Sequence, residues 1–319
     1  VPPPSISVVI LCYKSEAYIT YCLDALREQT RPADEVIVVE NASGDRAAEL
    51  ARAHRIAPRV IVTSANLGCA GGNNVGWRAA RGEIIVFLNP DCAAEPDFLR
   101  EITRPLVEDA SVGLTGAKLY FPNSRRIQHA GGILHPNAMT EHRGMGCVDD
   151  GRFDEIAPVA YVTGAAFAMR RATLETLGGL DEEYFPAYYE ETDLCARVWR
   201  LGLKVLYIPR AVGYHKESSG VGGPDAPSTR MAYRSRVIYL IKNKTLWQWV
   251  SEVLPFEWHW FRQPYARGFR RKAFRAYASG AAFVVRCLLR GRRRQRIHCG
   301  MWLEEIHSEK APSRRDLSS

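Results

Sequence analysis

Ile6-Ser7-Val8-Val9-Ile10-Leu11-Cys12 is a short, almost uninterrupted apolar run. A strand with one wet face alternates apolar and polar residues. A run this continuous reads as a strand buried on both faces, as in a parallel sheet. Working outward, Ile19, Cys22, Leu23 and Leu26 recur at helical spacing within Glu16 to Glu28. Val36 to Val39 is a second buried strand, and residues 44–54, after the capping run Ser43-Gly44-Asp45, are a second helix. Val60 to Val62, a helix over Ala70 to Ala80, Ile84 to Leu88 and a helix over Glu95 to Val107 continue the alternation. This rhythm predicts βαβ units and a mostly parallel sheet flanked by helices. Further on, Leu114 to Leu119, Val159 to Met169 and Lys204 to Ile208 read as strands. The stretch 129–151, with His129, His135 and His142, reads as a solvated loop, since its histidine spacing fits no compact metal site.

Such sheets bind ligands at the carboxyl ends of their strands. Tyr13-Lys14 follows the first strand, Glu40-Asn41 the second, Asn66 the third and Asn89-Pro90-Asp91 the fourth. Asp91 suits a divalent cation beside a diphosphate, since Mg²⁺ and Mn²⁺ take oxygen ligands and share them with phosphates; it equally suits a helix cap near Glu95. Glu40 and Asn41 can meet a nucleobase edge or make a turn. In Asn66-Leu67-Gly68-Cys69-Ala70-Gly71-Gly72-Asn73-Asn74 the glycines allow close backbone approach, and the amides offer neutral hydrogen bonds. The stretch is neither a dinucleotide-binding fingerprint nor a P-loop. In Glu190-Glu191-Thr192-Asp193, three acids in four residues raise one another's proton affinity, which suits general-base work and also an acidic helix start. His215 stands after a strand and beside the Gly/Ser/Pro stretch 218–228.

The chain has 319 residues, 46% hydrophobic and 24% charged, which excludes wholesale disorder, collagen-like repeats and a disulfide-stapled mini-protein. Its net charge of +8 is uneven: residues 1–224 carry 23 Lys+Arg and 28 Asp+Glu, and residues 225–319 carry 20 and 7. The reading is therefore two parts, 1–224 catalytic and 225–319 a basic, Trp-rich helical region. Of the eight cysteines none makes a Cys-x-x-Cys pair; Cys12 and Cys195 read as buried small hydrophobes, and a reducing, cytoplasmic setting is expected. Val1-Pro2-Pro3-Pro4 has no signal-peptide pattern, and no apolar stretch reaches ~18 residues.

Taken in order, V-V-I-L-C-Y-K-S-E at 8–16, V-V-E-N-A-S-G-D at 38–45, N-L-G-C-A-G-G-N-N-V-G at 66–76 and F-L-N-P-D at 87–91 resemble the family 2 glycosyltransferases, in particular their bacterial rhamnosyltransferase-like branch. T-G-A-A-F-A-M-R-R at 163–171, G-G-L-D-E-E-Y-F at 178–185, Y-E-E-T-D-L-C-A-R at 189–197 and H-K-E-S-S-G at 215–220 extend the resemblance over roughly residues 5–220. It implies a GT-A fold and metal-dependent, inverting transfer of a hexosyl group such as rhamnose. The donor would be a dTDP-, UDP- or GDP-sugar. The acceptor would be a hydroxyl of a glycan or polyprenyl-linked molecule in surface polysaccharide synthesis. It also implies a donor site of Tyr13, Glu40, Asn41, Asn66, Gly68, Asn74, Asn89, Asp91, Thr163 and Gly164, with Asp91 and His215 holding Mn²⁺ or Mg²⁺. Glu191 takes the place of the catalytic base, with Glu190 and Asp193 as alternatives. Three departures stand out: Glu40 and Glu191 replace the commoner Asp, and Asn89 replaces the first acid of a D-x-D motif.

In the basic region Trp247, Trp249, Trp258 and Trp260 interleave with Arg267, Arg270, Arg271, Lys272, Arg275 and Arg290-Gly291-Arg292-Arg293-Arg294. This suits peripheral docking on the inner leaflet of an anionic membrane, or helices that pack on the catalytic part or join a homodimer. A sugar-phosphate nucleotidyltransferase, or a nucleic-acid binder using the arginines, are the competing functions. The second leaves the strand-end motifs unexplained, so no nucleic-acid partner is expected.

Overall fold

The computed structural model describes residues 3–216, 227–263, 270, 273–278 and 280. Parallel strands β1 (Ile6–Cys12), β2 (Glu35–Glu40), β3 (Arg59–Val62) and β4 (Ile84–Leu88) lie in the order β3-β2-β1-β4. The apolar runs of β1, β2 and β4 are buried almost throughout, whereas the edge strand β3 is half-exposed. Helices α1 (Ile19–Arg27), α2 (Ala47–Ala53) and α3 (Gly68–Ala79) make the crossovers. The order turns back at β1, so the switch point of the sheet lies between the ends of β1 and β4.

The sheet continues beyond β4. After β5 (Cys92–Ala94) and α4 (Phe98–Glu108) comes β6 (Val112–Tyr120), then β7 (Ile127–His129), β8 (Gly132–Leu134), β9 (Thr140–His142), β10 (Ala157–Pro158), β11 (Ala166–Arg170), α5 (Arg171–Leu177), α6 (Glu190–Arg200) and β12 (Lys204–His215). From β4 the order runs β11-β6-β12-β10, with β11 antiparallel to both neighbours and β12 parallel to β6. The sheet is thus mixed, and two expectations change. The strand expected over 159–169 begins only at Ala166, because Val159–Ala165 crosses the sheet edge, where Val159 N binds Val205 O and Asn89 N binds Ala165 O. The helix expected from Glu95 begins at Phe98, because β5 occupies Cys92–Ala94.

The 129–151 stretch is not a solvated loop. β7 pairs with β6, and β8 pairs with β9. His129 is 1% exposed, its ring edge-on to His142 at 4.7 Å. Burial, then the neighbouring His142 and Arg143, push the His129 imidazole well below its usual pKa, so it is neutral. Cys12 and Cys195 are fully buried as expected, and the six described cysteines are free thiols.

The basic region begins with α7 (Pro227–Asn243), then α8 (Leu246–Gln248), a π-turn (Trp249–Val253) and α9 (Leu254–Arg262). It packs on the catalytic part: Ile238, Tyr239 and Leu240 of α7 join Ala138, Tyr184 and Tyr189 in one apolar cluster. Arg236, 1% exposed, donates to Asn137 O and pairs with the buried Glu257, to which Tyr277 also donates. The run Arg290 to Arg294, Arg267, Arg271 and Lys272 lie outside the described residues, as does most of 218–228.

Candidate active site

Asp91 and His215 are far apart in sequence and adjacent in space. Strand β5 pairs antiparallel with the end of β12, setting His215 opposite Cys92, and Lys216 N binds Asp91 O at 3.1 Å. The side chains follow: His215 Nε2 lies 3.2 Å from Asp91 Oδ1, and both residues are 8% exposed. Gln128, which the sequence reading did not single out, settles the histidine tautomer. Its Nε2 donates to His215 O at 3.1 Å, so its Oε1, 2.8 Å from His215 Nδ1, accepts from that nitrogen. With Nδ1 carrying its proton toward Gln128, Nε2 is the nitrogen that faces the Asp91 carboxylate. A ring nitrogen and a carboxylate oxygen 3.2 Å apart can share a proton or a cation, and the Asn89 amide nitrogen lies 3.3 Å from the same Nε2. Imidazole and carboxylate together suit Mn²⁺ or Mg²⁺ completed by ligand oxygens, while the Asn89 amide is a hydrogen-bond donor beside them. Asp91 caps no helix: α4 is preceded by Asp97.

The second half of the site is the start of α6. Tyr188 and Tyr189 both have positive φ, +76° and +72°. Two successive non-glycine residues in this region cost about 1–3 kcal/mol each, and such cost collects where geometry is imposed for function. Tyr189 is held by its hydroxyl, which donates to Ala138 O at 2.6 Å. The turn delivers Glu190 and Glu191 as the first two residues of α6. The helix N-terminus favours their ionised forms, but burial works against it and wins. Burial, then the adjacent Glu190, push the Glu191 carboxyl up to about 8. Burial also raises Glu190, which accepts from the Cys69 thiol and has its buried Oε2 without a hydrogen-bond partner. Glu191 accepts from Thr192 Oγ1 at 3.2 Å and lies beside Gly164, where an added Cβ would sit 3.7 Å from its Cγ.

Asp193 is a different case. Arg197 Nε pairs with it at 2.7 Å, and Tyr184 OH and Asn243 Nδ2 donate to it at 3.1 and 3.0 Å. A carboxylate at 1% exposure with these three donors anchors α6, α7 and the 178–184 segment to one another, a part that neither Glu190 nor Glu191 has.

Among the expected donor-site residues, Tyr13 is a half-exposed ring at the end of β1, with Lys14 Nζ 5.7 Å from its centroid. Glu40 ends β2 and is buried, its Oε1 accepting from Ser43 N at 2.7 Å and from Ser43 Oγ. Asn66 is exposed at the loop before α3. Thr163 N donates to His129 Nε2 at 3.2 Å just before β11. Two residues are engaged within the chain. Asn41, 2% exposed, donates to Asn66 Oδ1 and Gly68 O and accepts from Leu67 N, and so clasps the loop. Asn74, 1% exposed, donates to Leu180 O and Glu182 Oε1 and accepts from Leu180 N and Trp77 Nε1, so its hydrogen bonds are spent inside the chain. The α3 glycines likewise serve packing: a Cβ at Gly72 would overlap Leu11, one at Gly76 would overlap Val9, and one at Gly68 would fall 2.8 Å from Pro186 O.

Comparison with known proteins fits this geometry. The sequence pattern described as Glycosyl transferase family 2 matches residues 7–178. The chain is 27% identical over 222 residues to a probable glycosyltransferase, YdaM, of Bacillus subtilis, covering 67% of this chain and 51% of YdaM. It is 30% identical over 90 residues to the N-acetylglucosaminyl-diphospho-decaprenol L-rhamnosyltransferase of Mycobacterium tuberculosis, 28% of this chain and 29% of that one. The chain spans about half or less of the length of these relatives. Among solved structures, GalNAc-T7 with UDP, GalNAc and Mn²⁺ superposes with a TM-score of 0.63 at 12% identity, over 91% of this chain and 58% of that one, which establishes the GT-A fold. With the family pattern covering more than half of the chain, from β1 to the end of α5, this protein belongs to glycosyl transferase family 2.

Proposed function

We propose that the protein transfers a sugar from a nucleotide diphosphate sugar to a hydroxyl of a glycan or lipid-linked acceptor, with inversion at the anomeric carbon. The observation that carries this reading is the pair Asp91 and His215, facing each other at the ligand-binding edge of the sheet. These two residues would hold Mn²⁺ or Mg²⁺. The bound cation would supply positive charge for the departing nucleoside diphosphate.

The remaining work falls to this chain's own residues. The exposed Tyr13 ring offers a stacking face, and Asn66 and the end of Glu40 line the same strand ends. Glu191 takes the proton from the acceptor hydroxyl as that oxygen attacks; a carboxylate poised near neutral pH suits that transfer. Burial, with Glu190 one residue away, keeps Glu191 basic. One displacement with no enzyme nucleophile inverts configuration. L-Rhamnose is the first donor sugar to test, because the similar mycobacterial enzyme carries it in its name. That name also motivates a polyprenyl-diphosphate-linked acceptor, met from the cytoplasmic side of the membrane.

The test is a thermal-shift screen of dTDP-, UDP- and GDP-sugars with and without Mn²⁺, followed by a product assay. One nucleotide sugar is expected to stabilise the wild type only when Mn²⁺ is present. Asp91→Asn is expected to abolish that dependence. Equal stabilisation of wild type and Asp91→Asn would remove Asp91 from the cation site. Release of inorganic diphosphate instead of a nucleoside diphosphate would replace sugar transfer by nucleotidyl transfer.

A further inference from the structure

From Leu246 to Arg262 the chain is continuously helical, through α8, the π-turn and α9. Trp247, Val250, Leu254 and Trp258 recur three or four residues apart along it and share one side. Their exposures are 75, 55, 54 and 64%. The other side is already used: Val253 packs in the cluster with α7, and Trp260 packs with Tyr233, Val237, Ala273 and Ala276. Among the described residues nothing covers the apolar stripe. Large exposed apolar side chains grouped in this way mark a contact surface.

The surroundings of the stripe indicate what it contacts. The Arg262 guanidinium lies 4.6 Å from the centre of the Trp258 ring. Neither carboxylate of the segment is a free negative charge, since Glu252 pairs with Lys244 at 2.6 Å and Glu257 is buried against Arg236. One helical turn past Trp258, Phe261 opens a cavity of about 510 Å³, shared with Phe274, Tyr277, Arg270 and Arg275; its floor is aromatic and it carries two guanidinium groups. A second copy of a stripe bordered by Arg262, Arg270 and Arg275 would be repelled, and an anionic surface attracted.

We propose that this stripe is a membrane-docking face. Trp247, Val250, Leu254 and Trp258 enter the headgroup–acyl boundary of a bilayer containing anionic lipid, and Arg262, Arg270 and Arg275 sit at the level of the lipid phosphates. No described helix is long and apolar enough to cross a membrane, and the mode is that of an amphipathic helix lying in the interface. The inference rests on the reading of a lipid-linked acceptor for its purpose; its test uses no sugar transfer, so the two fail separately.

The experiment is flotation of the full chain with vesicles of phosphatidylcholine alone and of phosphatidylcholine with 30% phosphatidylglycerol. The wild type is expected to float with the anionic vesicles and to be released by salt, each arginine near the surface contributing about fivefold in partitioning. The double variant Trp247→Ser, Trp258→Ser is expected to lose about tenfold or more in bound fraction. It should keep the wild-type circular dichroism spectrum and nucleotide-dependent thermal shift. Should that variant misfold, Arg262→Gln with Arg275→Gln gives the same readout through the charge alone. Undiminished flotation of the folded variants, or no flotation of the wild type at low salt, would overturn the proposal. So would sedimentation of the wild type as a dimer that the tryptophan substitutions dissociate, since the stripe would then be a self-interface.

Discussion

Replacing Glu191 by Gln separates its chemistry from its burial. The carboxyl is pushed from 4.5 up to about 8 by burial, then by Glu190. A base must be ionised to act. With the proton leaving near pH 8, about a tenth of the wild type is competent at pH 7, so kcat/KM should climb close to tenfold per pH unit from 6 to 7.5 and level off above 8. Glu191→Gln should lower kcat by about 10²–10⁴ with little change in donor KM, and should flatten the profile. Stability moves the other way. Between pH 4.5 and 8 the folded protein keeps a proton that the unfolded chain has released, so wild-type stability falls as pH rises through that window and is constant above it. Gln has no such proton. Glu191→Gln should match or trail the wild type near pH 4.5 and exceed it at pH 8.5, by at most about 5 kcal/mol. The assays are nucleoside diphosphate release across pH 5.5–9 and urea unfolding at the two ends. Near-wild-type turnover of Glu191→Gln would remove Glu191 as the base. A stability difference that does not grow with pH would refute the burial argument.

Three further outcomes are expected. Gln128→Leu removes the acceptor that orients His215 and should weaken Mn²⁺-dependent nucleotide binding about 10–100-fold by calorimetry, with unchanged Mn²⁺ affinity counting against the orienting role. Asn74→Ala leaves Leu180 N, Leu180 O and Trp77 Nε1 short of partners and should cost about 2–3 kcal/mol in urea unfolding; a large change in donor affinity in still-folded protein would place Asn74 in the binding site. Arg236→Ala strands the buried Glu257 and should destabilise by about 3–5 kcal/mol, whereas Arg236→Met with Glu257→Leu should recover most of it; a double variant no better than the single one would show that the charges themselves are required.

What was legible in the sequence follows from what each residue is paid in. Strands β1, β2 and β4 are apolar on both faces because helices cover both, and that leaves a continuous run. Asp91, Glu191 and His215 could be picked out because they stand beside strand ends or a crowded acid cluster. The amides of Asn41 and Asn74 carry the same donors and acceptors whether they bind a ligand or their own loop, and nothing in the string of letters separates the two. Asp193 looked like its neighbours because its three donors, Arg197, Tyr184 and Asn243, come from three different segments. Gln128 gave no local signal at all: its role exists only once β7 lies beside the end of β12. His129 was misread because a histidine among glycines suggests a wet loop, while its burial is created by pairing with β6.

The meeting of β5 with β12 also bears on the order in which the protein acquires its parts. Asn89 and His215 are separated by 126 positions, and the turn-back strand β5 has only three residues with which to hold the far end of β12. The β1–β4 sheet uses pairings of shorter range, and closing the longer loop costs entropy that only docked structure repays. A nascent chain can assemble the β1–β4 strands well before the ribosome has released His215. If the proposed cation site is right, a response to Mn²⁺ would be a late acquisition, and a sensitive readout of whether a refolded or truncated chain has finished folding.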